Sequence, residues 1–226
     1  ADVEYNAAKV IAETLEKDKN LPWPGQIRAL EVLGELRQGH SPAAPKNLEI
    51  ANVAMRFLAN NKLKPEVRAE AARALGQLQI SAAVNDYNYE AIAYTTAEVA
   101  VELGDKIGTL FSDNRIRSEY YAAFLIGQIL EAFEGTPSAR DGGLIRNALP
   151  PAQTKIQEML TLIKAIAKPA IELIRSGSGQ VPAKKKELAD SVAALKTYLE
   201  KNPPKDRRLI PGGADPTLAE GPGGQN

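Results

Sequence analysis

The run Pro65-Glu-Val-Arg-Ala-Glu-Ala-Ala-Arg-Ala-Leu-Gly-Gln-Leu78 has the period of a helix. Its proline stands at the first turn, where a missing N–H costs nothing. Behind it Val67, Ala71, Ala74, Leu75 and Leu78 recur at steps of three and four, which puts them on one face. Its ending, an alanine followed by aliphatic-Gly-x-aliphatic, occurs in three places. These are Ala29 with Leu33-Gly34-Glu35-Leu36, Ala71 with Leu75-Gly76-Gln77-Leu78, and Ala122 with Ile126-Gly127-Gln128-Ile129. The glycines lie 42 and then 51 positions apart. A glycine inside a helix costs roughly 1 kcal/mol relative to alanine, so three in one register predict close helix–helix approach at each.

Working outward, an amphipathic segment precedes each signature, at about 4–17, 46–60 and 88–104. Leu48, Ala51, Met55 and Leu58 mark the second of these. Ile92, Thr96, Val99 and Leu103 mark the third, with Gly104 expected to end it. Residues 115–134 are apolar nearly all round, through Ile116, Tyr120, Ala123, Leu125, Ile129, Leu130 and Phe133, which predicts the central, most buried helix. No run of alternating β-branched residues occurs, so an all-α fold is expected.

The run from Pro65 resembles the second helix of a bacterial HEAT repeat. The other two signatures match more loosely, with Gln26 and Glu119 where Arg68 stands. The resemblance covers residues 1–135. It implies three helical hairpins stacked as a HEAT-like α-solenoid, whose use is mostly surface for binding partners. HEAT-like enzymes that depend on a metal use several His-Glu pairs, and this chain has one histidine.

The remainder departs from the repeat. Ile156, Leu160, Ile163, Ala167, Ala170 and Ile174 stripe a long helix from Ala152 to Arg175, which Pro169 should kink. Ser176-Gly-Ser-Gly179 reads as a turn. Leu188, Val192, Leu195 and Leu199 stripe a second helix over about 183–200. Residues 136–202 therefore read as an antiparallel hairpin capping the open end of the stack. Residues 203–226 are rich in Pro and Gly and read as an extended tail, anchored at Leu209 and Ile210.

Composition removes several functions. The chain has 226 residues, no cysteine, and 28 basic against 28 acidic residues. Cysteine nucleophiles, iron–sulfur clusters and Cys-type zinc sites are excluded. A balanced charge argues against broad nucleic-acid binding, which needs a basic surface. No apolar run is long enough to predict a transmembrane segment. Ala1 in place of methionine suits a mature exported or periplasmic chain, or a cytoplasmic one trimmed after Met-Ala.

Candidate chemistry is sparse. His40, in Gly39-His-Ser-Pro42, has no second histidine to share a metal and reads as a loop residue. Carboxylate pairs at Glu31/Glu35, Glu66/Glu70 and Glu98/Glu102 share helix faces at i,i+4 and read as solvated. Asp86-Tyr-Asn88-Tyr-Glu90 alternates oxygen ligands as an EF-hand loop does, without its glycine or final glutamate. Gly177-Ser-Gly179 lacks the spacing of a phosphate loop. Lys184-Lys185-Lys186 with Lys205, Arg207 and Arg208 is the only basic concentration, and no aromatic residues interleave to stack bases. Tyr87, Tyr89, Tyr94, Tyr120 and Tyr121 gather around the third hairpin, as core filling or a small pocket.

No catalytic, cofactor or metal residue is therefore expected. The expected function is a non-catalytic protein-binding or scaffolding subunit, with protein partners or self-association. Trp23, Tyr87, Tyr89, Leu209 and Ile210 are its candidate contact residues. The alternative is an enzyme with a pocket near the tyrosine-rich third hairpin.

Overall fold

The computed structural model describes residues 2–110, 116–136, 142–175 and 181–217, and the side chains of 110, 116–123, 174, 175 and 181 are left aside. The turn expected at Ser176–Gly179, the tail beyond residue 217, and the side chains of Ile116, Tyr120, Tyr121 and Ala123 lie outside the described residues. Among the described residues the protein is all-α. Nine helices follow in order: α1 (Asp2–Lys17), α2 (Trp23–Leu36), α3 (Glu49–Ala59), α4 (Pro65–Gln77), α5 (Tyr89–Leu110), α6 (Ile116–Glu134), α7 (Leu144–Asn147), α8 (Ala152–Arg175) and α9 (Val181–Lys201). None is long and apolar enough to cross a membrane.

The glycine-bearing helices pack side by side in the order α2, α4, α6. Their preceding helices pack as α1 on α2 and α3, α3 on α4 and α5, and α5 on α6. The first two hairpins are a helical repeat down to their turns. Asp18 Oδ1 accepts from the Asn20 N–H at 3.0 Å, and Asn60 Oδ1 accepts from the Lys62 N–H at 3.0 Å. The Leu21 and Leu63 N–H groups donate to the carbonyls of Asp18 and Asn60, both at 3.1 Å. The register that relates Gly34 to Gly76 also relates Ala12 to Ala54 and Leu15 to Phe57, all buried.

The glycines divide. A Cβ on Gly76 would stand 2.8 Å from both the Cα and the carbonyl carbon of Ala132 on α6, and closer still to its oxygen. One on Gly34 would stand 3.2 Å from the Ala74 Cα of α4 and 2.6 Å from the Gln77 Oε1. At Gly127 a Cβ meets nothing within 4 Å, so the expected third close approach is corrected. Gly104 does not end its helix, which continues to Leu110. Instead it admits Val192 of α9, whose Cγ2 would stand 2.5 Å from a Cβ.

Among the described side chains the most fully buried helix is α4, in place of the expected 115–134. Nearly all of α4 is buried, from Val67 through Leu75 to Gln77, because α2 and α6 flank it while α3 and α5 cover the rest. Its many alanines allow neighbours on all sides without apolar bulk of its own. By contrast Phe124 of α6 is 59% exposed. Arg68 is buried within this centre, its Nε donating to the Leu58 carbonyl at 3.0 Å and its Nη1 paired with Glu102 of α5. Burial without both partners would be costly for a guanidinium.

Helices α8 and α9 pack on each other, α8 also on α5 and α6, and α9 on α5. Helix α8 runs through Pro169, which is buried. After α9 the chain returns to α5. Leu209 is buried and its carbonyl accepts from the Asn88 N–H at 2.8 Å. The Asn88 amide donates to the carbonyls of Asp206 and Arg208, at 2.8 and 3.1 Å, while its Oδ1 accepts from the Ala91 N–H at 3.0 Å. One asparagine thus caps α5 and holds the tail. Arg207 adds a two-pronged pair to Glu98, at 3.0 and 2.8 Å, and lies 5.1 Å from the Tyr94 ring centroid.

Candidate functional site

A cavity of about 450 Å³ opens across the face of α2, α4 and α6. Gly127, with no side chain and no neighbour over it, leaves part of that space open. Its apolar lining is Ile27 of α2 with Phe124 and Leu125 of α6. Its charged lining is Glu31, Glu70, Arg73 and Glu131, together with the amide of Gln128.

Glu70 is buried and fully engaged. Its Oε1 accepts from Arg73 Nε at 2.9 Å and Nη2 at 2.5 Å, and its Oε2 accepts from Gln128 Nε2 at 2.7 Å. Burial holds its pKa above the ordinary carboxylate range, against the lowering pull of Arg73. Glu31 is paired with Arg28 one turn before it and lies 4.0 Å from Arg73. The expectation of solvated carboxylates is therefore corrected for Glu70. The acids that share a site come from α2, α4 and α6, one each, rather than from i,i+4 pairs. Packing of three helices decided this, and spacing along one helix could not.

The Glu70 shift has a measurable consequence. Its pKa is higher folded than unfolded, so the fold holds that proton more tightly. The resulting stability is fully present below the ordinary value of 4.5 and is lost as pH rises through the folded value. Glu70→Gln removes this term. The melting temperature of the native chain should fall relative to that of Glu70→Gln as pH is raised from 4.5 towards neutrality. A constant difference between the two melting curves would contradict the assignment.

A second, smaller cleft of about 250 Å³ lies where the first turns of α2 and α4 meet the turns before them. Trp23 is the first residue of α2 and 39% exposed, with Lys64 Nζ 5.0 Å from its ring centroid. Lys19 and Lys62 complete the rim, and Leu21, Leu63 and Val67 line the floor. Gln26 is buried in the same wall. Its Nε2 donates to the Leu21 carbonyl at 2.9 Å, while its Oε1 is buried with no hydrogen-bond partner. Swapping the amide would face its oxygen to the Leu21 carbonyl, so the orphan is an acceptor.

The other contact candidates serve the chain itself. Tyr87 is buried and packs edge-on against Tyr89, with centroids 4.6 Å apart. Burial raises the pKa of both phenols, that of Tyr89 to about 12. Leu209 is buried as the tail's anchor, and Ile210 packs half-buried against the same core. In this arrangement Tyr87 and Leu209 offer a partner almost no surface, because α5 and its preceding loop consume them. His40 Nδ1 lies 3.2 Å from the Gln79 carbonyl, beside the isolated bridge of Gln38 and Gln79. Asn88 and Glu90 of the EF-hand-like run are spent on capping and on an ion pair with Lys155 at 2.6 Å. Lys184 pairs with Glu172 and Glu187, and Lys186 with Asp190 at 2.6 Å. Among the described residues no group of three or more His, Asp or Glu is arranged to hold a metal ion.

Of the five candidate residues, the structure brings Tyr87 and Tyr89 together and places Leu209 and Ile210 near them on the tail; Trp23 stands alone in the second cleft. Sequence spacing missed Gln26 and the lysines around Trp23, although the parallel Asp18 and Asn60 turns were a signal. Compared with protein-family models, curated proteins and solved structures, the chain matches none.

Proposed function

We propose that this chain is a non-catalytic protein-binding, scaffolding subunit, its hairpins forming a HEAT-like solenoid whose α2–α4–α6 face receives a partner. The observation that carries this reading is the cavity across those three helices, lined by apolar residues and by three carboxylates with one arginine. Apolar lining offers burial to a side chain, and the excess of carboxylates selects a basic one. Docking would bury Phe124, now 59% exposed, against the partner.

What favours binding over catalysis is the way Glu70 is held. A general acid or base needs a proton within reach of substrate. Both oxygens of Glu70 are instead taken by Arg73 and Gln128, which makes it a brace between α4 and α6.

A photo-crosslinking amino acid at position 124, in the full chain within its native cells, tests this. We expect a discrete protein adduct that is lost when Glu31→Lys and Glu131→Lys reverse the acidic lining. A crosslinker at the exposed Lys201 position serves as the control surface. No adduct at 124, or one indifferent to the charge reversal, would remove the proposal. An adduct with a second copy would identify the partner as the chain itself.

A further inference from the structure

We infer that the Trp23 cleft is a recognition site for a carboxylate-bearing peptide segment, distinct from the α2–α4–α6 face. The inference rests on the protein-binding reading only in taking the ligand to be a polypeptide, and the two depressions share no lining residue.

Three independent features converge on an anion. Lys19, Lys62 and Lys64 are exposed and line one small cleft, whose lining residues include no carboxylate. Helices α2 and α4 both present their first turns there, and neither has a side-chain cap on its N-terminal N–H groups. A helix N-terminus carries roughly half a positive charge, and two of them with three ammonium groups concentrate positive potential in one place. Glu66 in the first turn of α4 and Asp18, which accepts from the Asn20 N–H, are not among the lining residues.

A fourth feature narrows the anion to a peptide. Gln26 Oε1 is buried in the wall without a donor, and a buried acceptor left unpaired costs about 1–3 kcal/mol. A ligand that turns this amide towards the cleft satisfies it by bringing an N–H or O–H as well as negative charge. A peptide residue supplies both, since its backbone N–H lies close to its own side-chain or terminal carboxylate. Phosphate diesters at neutral pH bring the charge without the donor, and hydrogen phosphate brings both but nothing to cover the apolar Leu21, Leu63 and Val67. At about 250 Å³ the cleft is below the usual size of a drug-like ligand site and suits one residue, with Leu21, Leu63 and Val67 as its apolar floor. Trp23 forms the side wall, kept at its post by Lys64.

Trp23 is the only tryptophan in the chain, so its fluorescence reports on this cleft alone. The probes are an acetylated, amidated tetraglutamate, its glutamine counterpart, and a leucine-ended tripeptide with either a free or an amidated C-terminus. Inorganic phosphate and a thymidine oligonucleotide complete the set. We expect a saturable emission change with carboxylate peptides, weakened by added salt and by at least about tenfold in the double variant Lys19→Gln, Lys62→Gln. The tetraglutamate and the free tripeptide separate side-chain from terminal carboxylates, and saturation by either supports the site. Gln26→Met should weaken the same peptides, and both lysines are exposed enough that their variants fold should Gln26→Met fail to. Equal binding of the neutral peptides, saturation by phosphate or oligonucleotide but not peptide, or no saturation at millimolar peptide would each overturn the inference. None of those results bears on crosslinking at position 124.

Discussion

Gly76→Ala should lower the stability of this protein by about 1–3 kcal/mol, although alanine is the better helix former. The added methyl would be driven into the backbone of Ala132, which cannot move without separating α4 from α6. The same substitution at Gly34 meets mainly the end of the Gln77 side chain, so it should cost less. At Gly127 it meets open space and should stabilise by up to about 1 kcal/mol. For a chain of this length each kcal/mol moves the melting temperature by about 2–4 °C. Thermal melts of the three variants should therefore rank Gly76→Ala lowest and Gly127→Ala at or above the native chain. Equal melting temperatures for Gly76→Ala and Gly127→Ala would show that the close contact of α4 with α6 is wrong.

Leu209→Ala should release the tail. Truncating a buried leucine costs about 2–5 kcal/mol, and Leu209 is the largest fully buried side chain described in residues 203–217. The other ties include half-buried Ile210, buried Pro216, the Asn88 hydrogen bonds, and Arg207 on Tyr94 and Glu98, a part-exposed pair screened by salt. Since the helices keep their own core, the loss should be local. Hydrogen exchange should show faster exchange at the Asn88 amide, which donates to the Leu209 carbonyl, with amides of α4 unchanged. Protection at Asn88 that survives the substitution would mean that the other contacts hold the tail without Leu209.

The anchor itself was legible in the sequence, because Leu209 and Ile210 are nearly the only large apolar residues in a segment of prolines and glycines. Its destination was not. Asn88 stood only as one oxygen-bearing residue of the 86–90 run; its cap on Ala91 is local, but its two amide donations go to carbonyls more than a hundred positions away. The candidate clefts were less legible still. Trp23 stood out by its type and its flanking prolines. Gln26 did not, because an amide becomes informative only when burial strips its oxygen of partners.

By itself the sequence determined what depends on neighbours three and four positions apart. The all-α class, the apolar stripes, the paired helices and the start at Pro65 follow from backbone geometry and side-chain period, which are local. Tertiary structure alone decided which like-looking residues differ. Gly34, Gly76 and Gly127 share one sequence context, but only the first two face a neighbouring helix. Residues 116–134 are more apolar than Pro65–Gln77, yet α4 is buried nearly throughout while Phe124 of α6 is exposed, since burial depends on where neighbouring helices lie as well as on hydrophobicity. Glu70, a surface acid by its spacing, is buried because α2, α4 and α6 converge on it, bringing Arg73 and Gln128 to its two oxygens.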